Sequence, residues 1–307
     1  MSRTTQGVLA AVFCEILYGL SYMVTKAALD AASALALLAW RHVISAVVLA
    51  LALAVSGRWP RWRGPSLWPA FRVALFSPVL YFVGETYGIA RTSSLESGIF
   101  LACIPLGAVI ASAVLLKERP SRQVAGGMAI TLVGALFTVA AVGLSSTLDL
   151  PGYGLLLLSV ASYGLYSVAV IEAGDFSPWE LAFWMALGGA LAFGPLAVGE
   201  ALLGGGLGEL LLLPFVDGPF LAAVLYQGVG CTVVAATLSN VAIGKLGVSR
   251  TASFIGISTV VSIGAGVLVL NERLYPLQGL GAGLIIFGVM LANGGLPFGG
   301  ERSDFRG

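Results

Sequence analysis

Long apolar runs, each about one bilayer thickness in length and parted by short polar links, organise the whole chain. A helix needs about 20 apolar residues to cross about 30 Å of hydrocarbon. Runs of that kind fall near 7–29, 34–56, 67–90, 94–116 and 123–143, and again near 152–172, 178–203, 218–243, 249–270 and 277–297. The pattern predicts an all-α integral membrane protein with ten transmembrane helices. The longest stretch left over is around Gly204–Pro219. The first run follows Arg3, is too long for a signal-peptide core and carries Glu15, with no small-residue cleavage pattern after it. It reads as a retained first span.

Composition agrees with this pattern. Of 307 residues only 10% are charged, against roughly 25% in soluble domains, and mean hydropathy is +0.96. The net charge of +1 leaves no basic face for a nucleic acid. Cys14, Cys103 and Cys231 sit in apolar runs without metal-ligand spacing and read as small buried fillers. The sole histidine, His42, excludes a His-rich metal site, the Gly-rich runs carry no phosphate chemistry, and no cofactor is implied.

Basic residues set the orientation. With the N-terminus inside, twelve Lys and Arg flank inner helix ends (Arg3, Arg72, Lys117 and Lys245 among them), and only Lys26, Arg91 and Arg273 lie outside. That bias predicts cytoplasmic N- and C-termini in a multi-pass protein of the cell membrane, the bacterial inner membrane.

The two halves of the chain resemble each other. Leu116-Lys117-Glu118-Arg119 matches Leu270-Asn271-Glu272-Arg273, and in the same register Phe100, Gly127 and Gly134 fall on Phe254, Gly281 and Gly288. Tyr18-Gly19-Leu20 matches Tyr163-Gly164-Leu165, and Trp40 falls close to Trp184. The expected division is 1–146 and 147–300, five spans each, with a tail at 301–307. An odd number of spans inserts the second repeat upside down relative to the first. Inverted repeats are a construction of secondary transporters that hold substrate near midplane between the halves. Gly107 with Ala111, and Gly279 with Gly283, form small-xxx-small patterns that predict close helix packing.

Polar residues within spans are the functional candidates, because ionisable groups in hydrocarbon are costly unless they pair or serve a function. Glu15 lies about 12 Å into helix 1, and Tyr18 and Tyr22 follow at i+3 and i+7 on the same face. Glu15 is a candidate proton carrier or a structural carboxyl. Arg41 in helix 2 and Glu85 in helix 3 occupy one layer and are expected to pair or share a polar network, as an ion pair that fixes packing or as a gate, with His42 adjacent. Tyr81 shares a helix face with Glu85. Tyr18, Tyr22, Tyr81, Tyr163 and Trp184 are candidate cavity aromatics, although Tyr and Trp also collect at membrane interfaces. Thr232, Ser239 and Asn240 in helix 8 stand where Pro78, Glu85 and Thr86 stand in the first half, and Asn240 needs a partner, a neighbouring helix or a substrate.

These residues resemble the drug/metabolite transporter superfamily, in particular its ten-helix EamA-type members, over nearly the whole chain. The resemblance rests on Leu270-Asn271-Glu272-Arg273 followed by Gln278-Gly279 and Phe287-Gly288-Val289, and on Thr92-Ser93-Ser94-Leu95 leading to Ile104-Pro105-Leu106. The second half departs where Thr259 stands in place of the proline matching Pro105. The resemblance implies a carrier for a small molecule, with amino acids and other metabolites as cargo. A cavity with aromatic walls, a carboxylate and a guanidinium suits a zwitterion. Glu15 also resembles the proton- and drug-binding Glu of the four-helix small multidrug resistance family, which keeps open a proton-coupled exporter of lipophilic cations. A membrane-embedded lipid enzyme is a remote alternative, since no cluster of His, Asp, Ser or Cys stands at an interface. Both halves of a pathway lie in one chain, so a monomer suffices and a dimer is compatible.

Overall fold

The structure is a computed structural model that describes residues 2–29, 31–57, 67–91, 101, 103–140, 149–269 and 276–292. All regular structure among the described residues is helical. We number the helices α1 (Arg3–Leu29), α2 (Ala34–Val55), α3 (68–91), α4 (Ile104–Leu116), α5 (Arg122–Ala140), α6 (Leu150–Glu172) and α7 (Pro178–Leu203). After the short α8 (Leu207–Val216) come α9 (Gly218–Leu246), α10 (Val248–Val269) and α11 (Pro276–Ala292). Six of them are long and apolar enough to cross a membrane by length and composition alone: α1, α2, α6, α7, α9 and α10. With α3, α4, α5 and α11 they make ten spans in two five-helix repeats. The stretch around Gly204–Pro219 holds α8, whose 10 residues reach only about 15 Å and cannot span. Large apolar side chains point outward along the spans, as at Leu191 and Leu268, where water would oppose them and lipid does not.

Helix starts are written in the sequence. Ser33, Asp149, Ser177 and Asp217 each accept a hydrogen bond from a backbone N–H in the first turn that follows, satisfying donors that an isolated helix leaves open. Ser177 and Glu180 form a full capping box. Asp149 also pairs with Arg91 at the end of α3, 3.2 Å away. The Gly152 N–H and the Arg91 guanidinium hold the Asp149 carboxyl below its usual range. Because the folded value lies below the unfolded one of about 3.9, the stabilisation is complete above about pH 4 and is lost as pH falls through the folded value. Asp149→Asn is therefore expected to flatten the acid limb of the thermal midpoint against pH, read between about pH 3 and 7. An unchanged acid limb contradicts this assignment.

The repeats interlock, and each contact has a counterpart. Helix α1 packs on α9 and α10, as α6 packs on α3 and α4; α2 packs on α7, and α5 on α11. The α5–α11 crossing shows the inversion directly. A Cβ at Gly127 would come within 2.5 Å of the Gly288 carbonyl oxygen, and one at Gly134 within 2.6 Å of the Gly281 carbonyl oxygen. Residue numbers rise along one helix as they fall along the other, so the fifth spans run antiparallel. The four glycines of the repeat match meet in space with partners exchanged, Gly127 on Gly288 and Gly134 on Gly281. Gly107 and Ala111 likewise meet Gly164 of α6. Gly283, in contrast, is exposed with nothing within 4 Å of a Cβ placed there, so the Gly279–Gly283 pattern does not mark a packed face. The close-packed stripe of α11 is Gly281 and Gly288, two helix positions round.

Two helices lose their regular turns near the middle of the bundle. In α3 the segments Trp68–Ala74, Leu75–Leu80 and Tyr81–Arg91 meet around Ser77, whose φ −142° and ψ 119° are not helical, followed by Pro78. In α9 the turns widen over Tyr226–Ala235, the matching place in the second repeat. Carbonyls freed inside hydrocarbon must find donors. Ser159 Oγ donates to the Tyr81 carbonyl at 3.1 Å, Ser45 Oγ to that of Gly228 at 3.0 Å, and Thr232 Oγ1 to that of Gln227 at 3.1 Å.

Candidate functional site

The irregular stretches of α3 and α9 border a cavity of about 190 Å³ between the two repeats. A buried water needs roughly 10–15 Å³ of such space, so the cavity has room for several waters or a small solute.

Helix α1 supplies one wall through Glu15, Tyr18, Ser21 and Thr25, spaced three to four residues apart and therefore on one face. Glu15 is 12 residues from the start of a 27-residue helix, about 18 Å along an axis of about 40 Å. It is 6% exposed, and Ser258 of α10, whose hydroxyl donates to the Ile255 carbonyl at 2.7 Å, lines the same cavity. The Tyr22 side chain is outside the described residues. The face that lines the cavity carries Ser21 and Thr25, whose hydroxyl-bearing side chains one turn apart were the available signal.

Helices α2 and α3 bring Arg41, Tyr81 and Glu85 to the same cavity. Arg41 and Glu85 share the site, yet the short contacts of each are with other groups. Arg41 Nε donates to Thr232 Oγ1 at 2.9 Å, and its guanidinium carbon stands 4.5 Å over the Phe82 ring. Tyr81 OH donates to Glu85 Oε1 at 2.8 Å. His42 borders the cavity but is fully buried. Its Nδ1 lies 2.8 Å from the Leu38 carbonyl, and its ring is wedged between Phe82, Phe193 and Gly189, where any Cβ would strike the imidazole.

The second repeat contributes Tyr163, Tyr166, Met185, Thr232 and Ser239. Tyr163 stacks edge-on between Tyr81 and Tyr166, with centroids 6.3 and 5.6 Å apart. Asn240 is not in the lining. It accepts from Tyr166 OH at 2.8 Å and so holds that phenol against α9, with its amide directed to the Pro178 carbonyl and Met185 Sδ. Trp184 is also outside the cavity, packed edge-on to Phe183 between two core clusters. Trp184 is singled out in the sequence by its match to Trp40, and Asn240 by its polarity within a span; neither signal tells which way a side chain turns. Cys231, in contrast, lines the cavity, although a buried thiol in an apolar run gives no sequence signal for that.

Comparison with known proteins agrees with this architecture. The EamA-like transporter family matches twice, over residues 5–140 and 150–294. The chain belongs to the EamA-like transporter family. Each match covers the five spans of one repeat. Over 293 residues the chain is 29% identical to a Bacillus subtilis (strain 168) protein named uncharacterized transporter YcxC, covering 95% of this chain and 94% of that one. A crystal structure described only as that of a protein has the same fold, with TM-score 0.73 and 21% identity over 95% of this chain and 99% of the other. The EamA-like assignment fits a cavity that sits between two repeats and draws its walls from both.

Proposed function

We propose that this EamA-like protein is a secondary carrier that moves small zwitterionic metabolites, amino acids foremost, out of the cell by alternating access. The observation that carries this reading is the joint presence of Arg41 and Glu85 in one aromatic-walled cavity. A desolvated guanidinium opposes a lipophilic cation, and a desolvated carboxyl opposes a simple anion, whereas a zwitterion satisfies both. Glu15, in mid-membrane and without a basic partner among the described residues, is the group that couples transport to protons. The basic-residue bias supports cytoplasmic termini in a bacterial inner membrane. The two repeats, divided at about residue 146, supply a complete pathway within one chain.

A competing reading is export of lipophilic cations with Glu15 as counter-ion, favoured by five aromatic rings about the cavity. Proteoliposomes containing the purified chain separate the two. The expected result is saturable flux of labelled amino acids that responds to an imposed pH gradient, with tetraphenylphosphonium neither carried nor inhibitory. Flux of the cation without flux of any amino acid overturns the proposal.

A further inference from the structure

The cavity lies where the repeats meet, so its walls can be compared position by position. Glu85 of α3 corresponds to Ser239 of α9 and Phe82 to Ala236, each 154 residues apart, and Arg41 of α2 corresponds to Met185 of α7, 144 residues apart. Tyr18 corresponds to Tyr163, 145 residues apart. The three residues that place a carboxyl or guanidinium at the wall, Glu15, Arg41 and Glu85, all come from the first repeat. The second repeat puts a thioether where the guanidinium stands and a hydroxyl where the carboxyl stands. A cavity built on symmetric elements is thus charged on one side and neutral on the other, which leaves a dipolar solute one orientation.

The geometry of Arg41 sharpens this. Its side chain is held twice, by the Nε hydrogen bond to Thr232 of the opposite repeat and by the face of Phe82. Arg41 is 9% exposed, and among the described residues neither terminal Nη makes a hydrogen bond or ion pair. A buried guanidinium fixed at Nε and on one face, with its two-nitrogen edge unused, is a preformed fork for a carboxylate, which it binds through two parallel N–H···O bonds. On the same charged side, Tyr81 occupies Glu85 Oε1, and Oε2 accepts no hydrogen bond from the described residues. In the second repeat's share of the wall Met185, Ala236 and Ile255 give an apolar surface beside the hydroxyls of Ser239 and Ser258.

Resting on the carrier reading above, we infer that the cavity selects α-amino acids with apolar side chains in a single orientation. The substrate carboxylate docks on the Arg41 fork, its ammonium on Glu85, and its side chain against Met185, Ala236 and Ile255. Arg41 and Glu85 then recognise the head group, Thr232 positions Arg41, and Met185 sets the side-chain size.

The test measures ligand stabilisation of the purified full-length protein in detergent by leucine, leucinamide and 4-methylpentanoate, beside leucine flux in proteoliposomes. Leucine is expected to bind at least about tenfold more tightly than either analogue, because each leaves one buried charge unanswered. Arg41→Gln should erase the preference of leucine over leucinamide, and Arg41→Lys should restore only part of it. Thr232→Val, which keeps the guanidinium but frees it, should cut the same ratio, and this variant decides the matter if Arg41→Gln does not fold. Met185→Ala should shift preference from leucine towards phenylalanine. Equal binding of leucine and leucinamide by the native protein, or a preference that survives both Arg41→Gln and Thr232→Val, overturns the inference and leaves the carrier standing. Absence of both stabilisation and flux for every amino acid removes the carrier reading and the inference together.

Discussion

Glu15→Gln is expected to lose accumulation driven by a pH gradient, by at least about tenfold, while substrate exchange at equal pH continues. The argument is one of placement. A carboxyl in mid-membrane survives as a fixed ion pair, as a hydrogen-bonded neutral group, or as a group that changes its proton during the cycle. Glu15 has no Lys, Arg or His in contact among the described residues. Its polar surroundings are the neighbouring Cys14 thiol 4.0 Å away and, about the same cavity, the Ser258 hydroxyl and the phenols of Tyr18, Tyr163 and Tyr166. None of these neutralises a carboxylate, and all can remain in place when the carboxyl is neutral. Glutamine keeps shape and hydrogen bonds and removes only the exchangeable proton, so packing and exchange should survive. Labelled-substrate uptake with and without an imposed gradient checks this. Gradient-driven accumulation undiminished in Glu15→Gln would give the carboxyl a structural role.

Adding a side chain at the α5–α11 crossing should have the largest effect on stability. A Cβ at Gly127 or Gly288 would stand 2.5 Å from the facing carbonyl oxygen of the other helix, well inside the ~3.5 Å of a normal nonbonded contact. The obstruction is backbone, which cannot turn aside as a side chain can. In a membrane no hydrophobic gain compensates for the lost fit, because helix association there depends on close packing. Gly127→Ala or Gly288→Ala should each cost about 1–3 kcal/mol, and Gly288→Leu should prevent assembly of the bundle. Gly283→Ala, five residues along the same helix but with nothing near its Cβ, is the control. It should be neutral or slightly stabilising, since alanine is the better helix former by about 1 kcal/mol. Thermal midpoints in detergent separate the two classes, and equal midpoints for Gly283→Ala and Gly288→Ala would refute the packing account.

Hydropathy alone located the ten spans to within a few residues at most ends, because each span must be long and apolar for reasons that involve no partner. The repeat was legible for a similar reason: glycines matched at Gly127, Gly134, Gly281 and Gly288 are constrained by contact with one another, and the constraint leaves identical residues. The break at Ser77 and the helix Leu207–Val216 were not foreseen. In the sequence Pro78 stands out only as the counterpart of Thr232, and a short apolar segment between spans looks like a loop until its ends are known.

At the site, depth was readable and direction was not. Glu15, Tyr18, Arg41, Tyr81, Glu85 and Tyr163 reach the cavity, because polar residues at mid-depth have few other places to go. Asn240 has the same depth but serves Tyr166, and Trp184 turns into the packing between helices. The Arg41 anchors, Thr232 and Phe82, lie on other helices, and which helices adjoin is a tertiary fact that one span's pattern does not contain. The same holds for Met185, whose significance appears only when it is set opposite Arg41.

Counterflow tests the central claim most directly. Proteoliposomes preloaded with unlabelled leucine, then diluted into a trace of labelled leucine at equal pH, should accumulate label transiently above its equilibrium level. A site that returns across the membrane more readily when loaded exchanges inner for outer substrate, which a pore does not do. An overshoot that depends on internal leucine is the result this account predicts. Uptake that rises to equilibrium without overshoot, and is indifferent to the internal load, would contradict it.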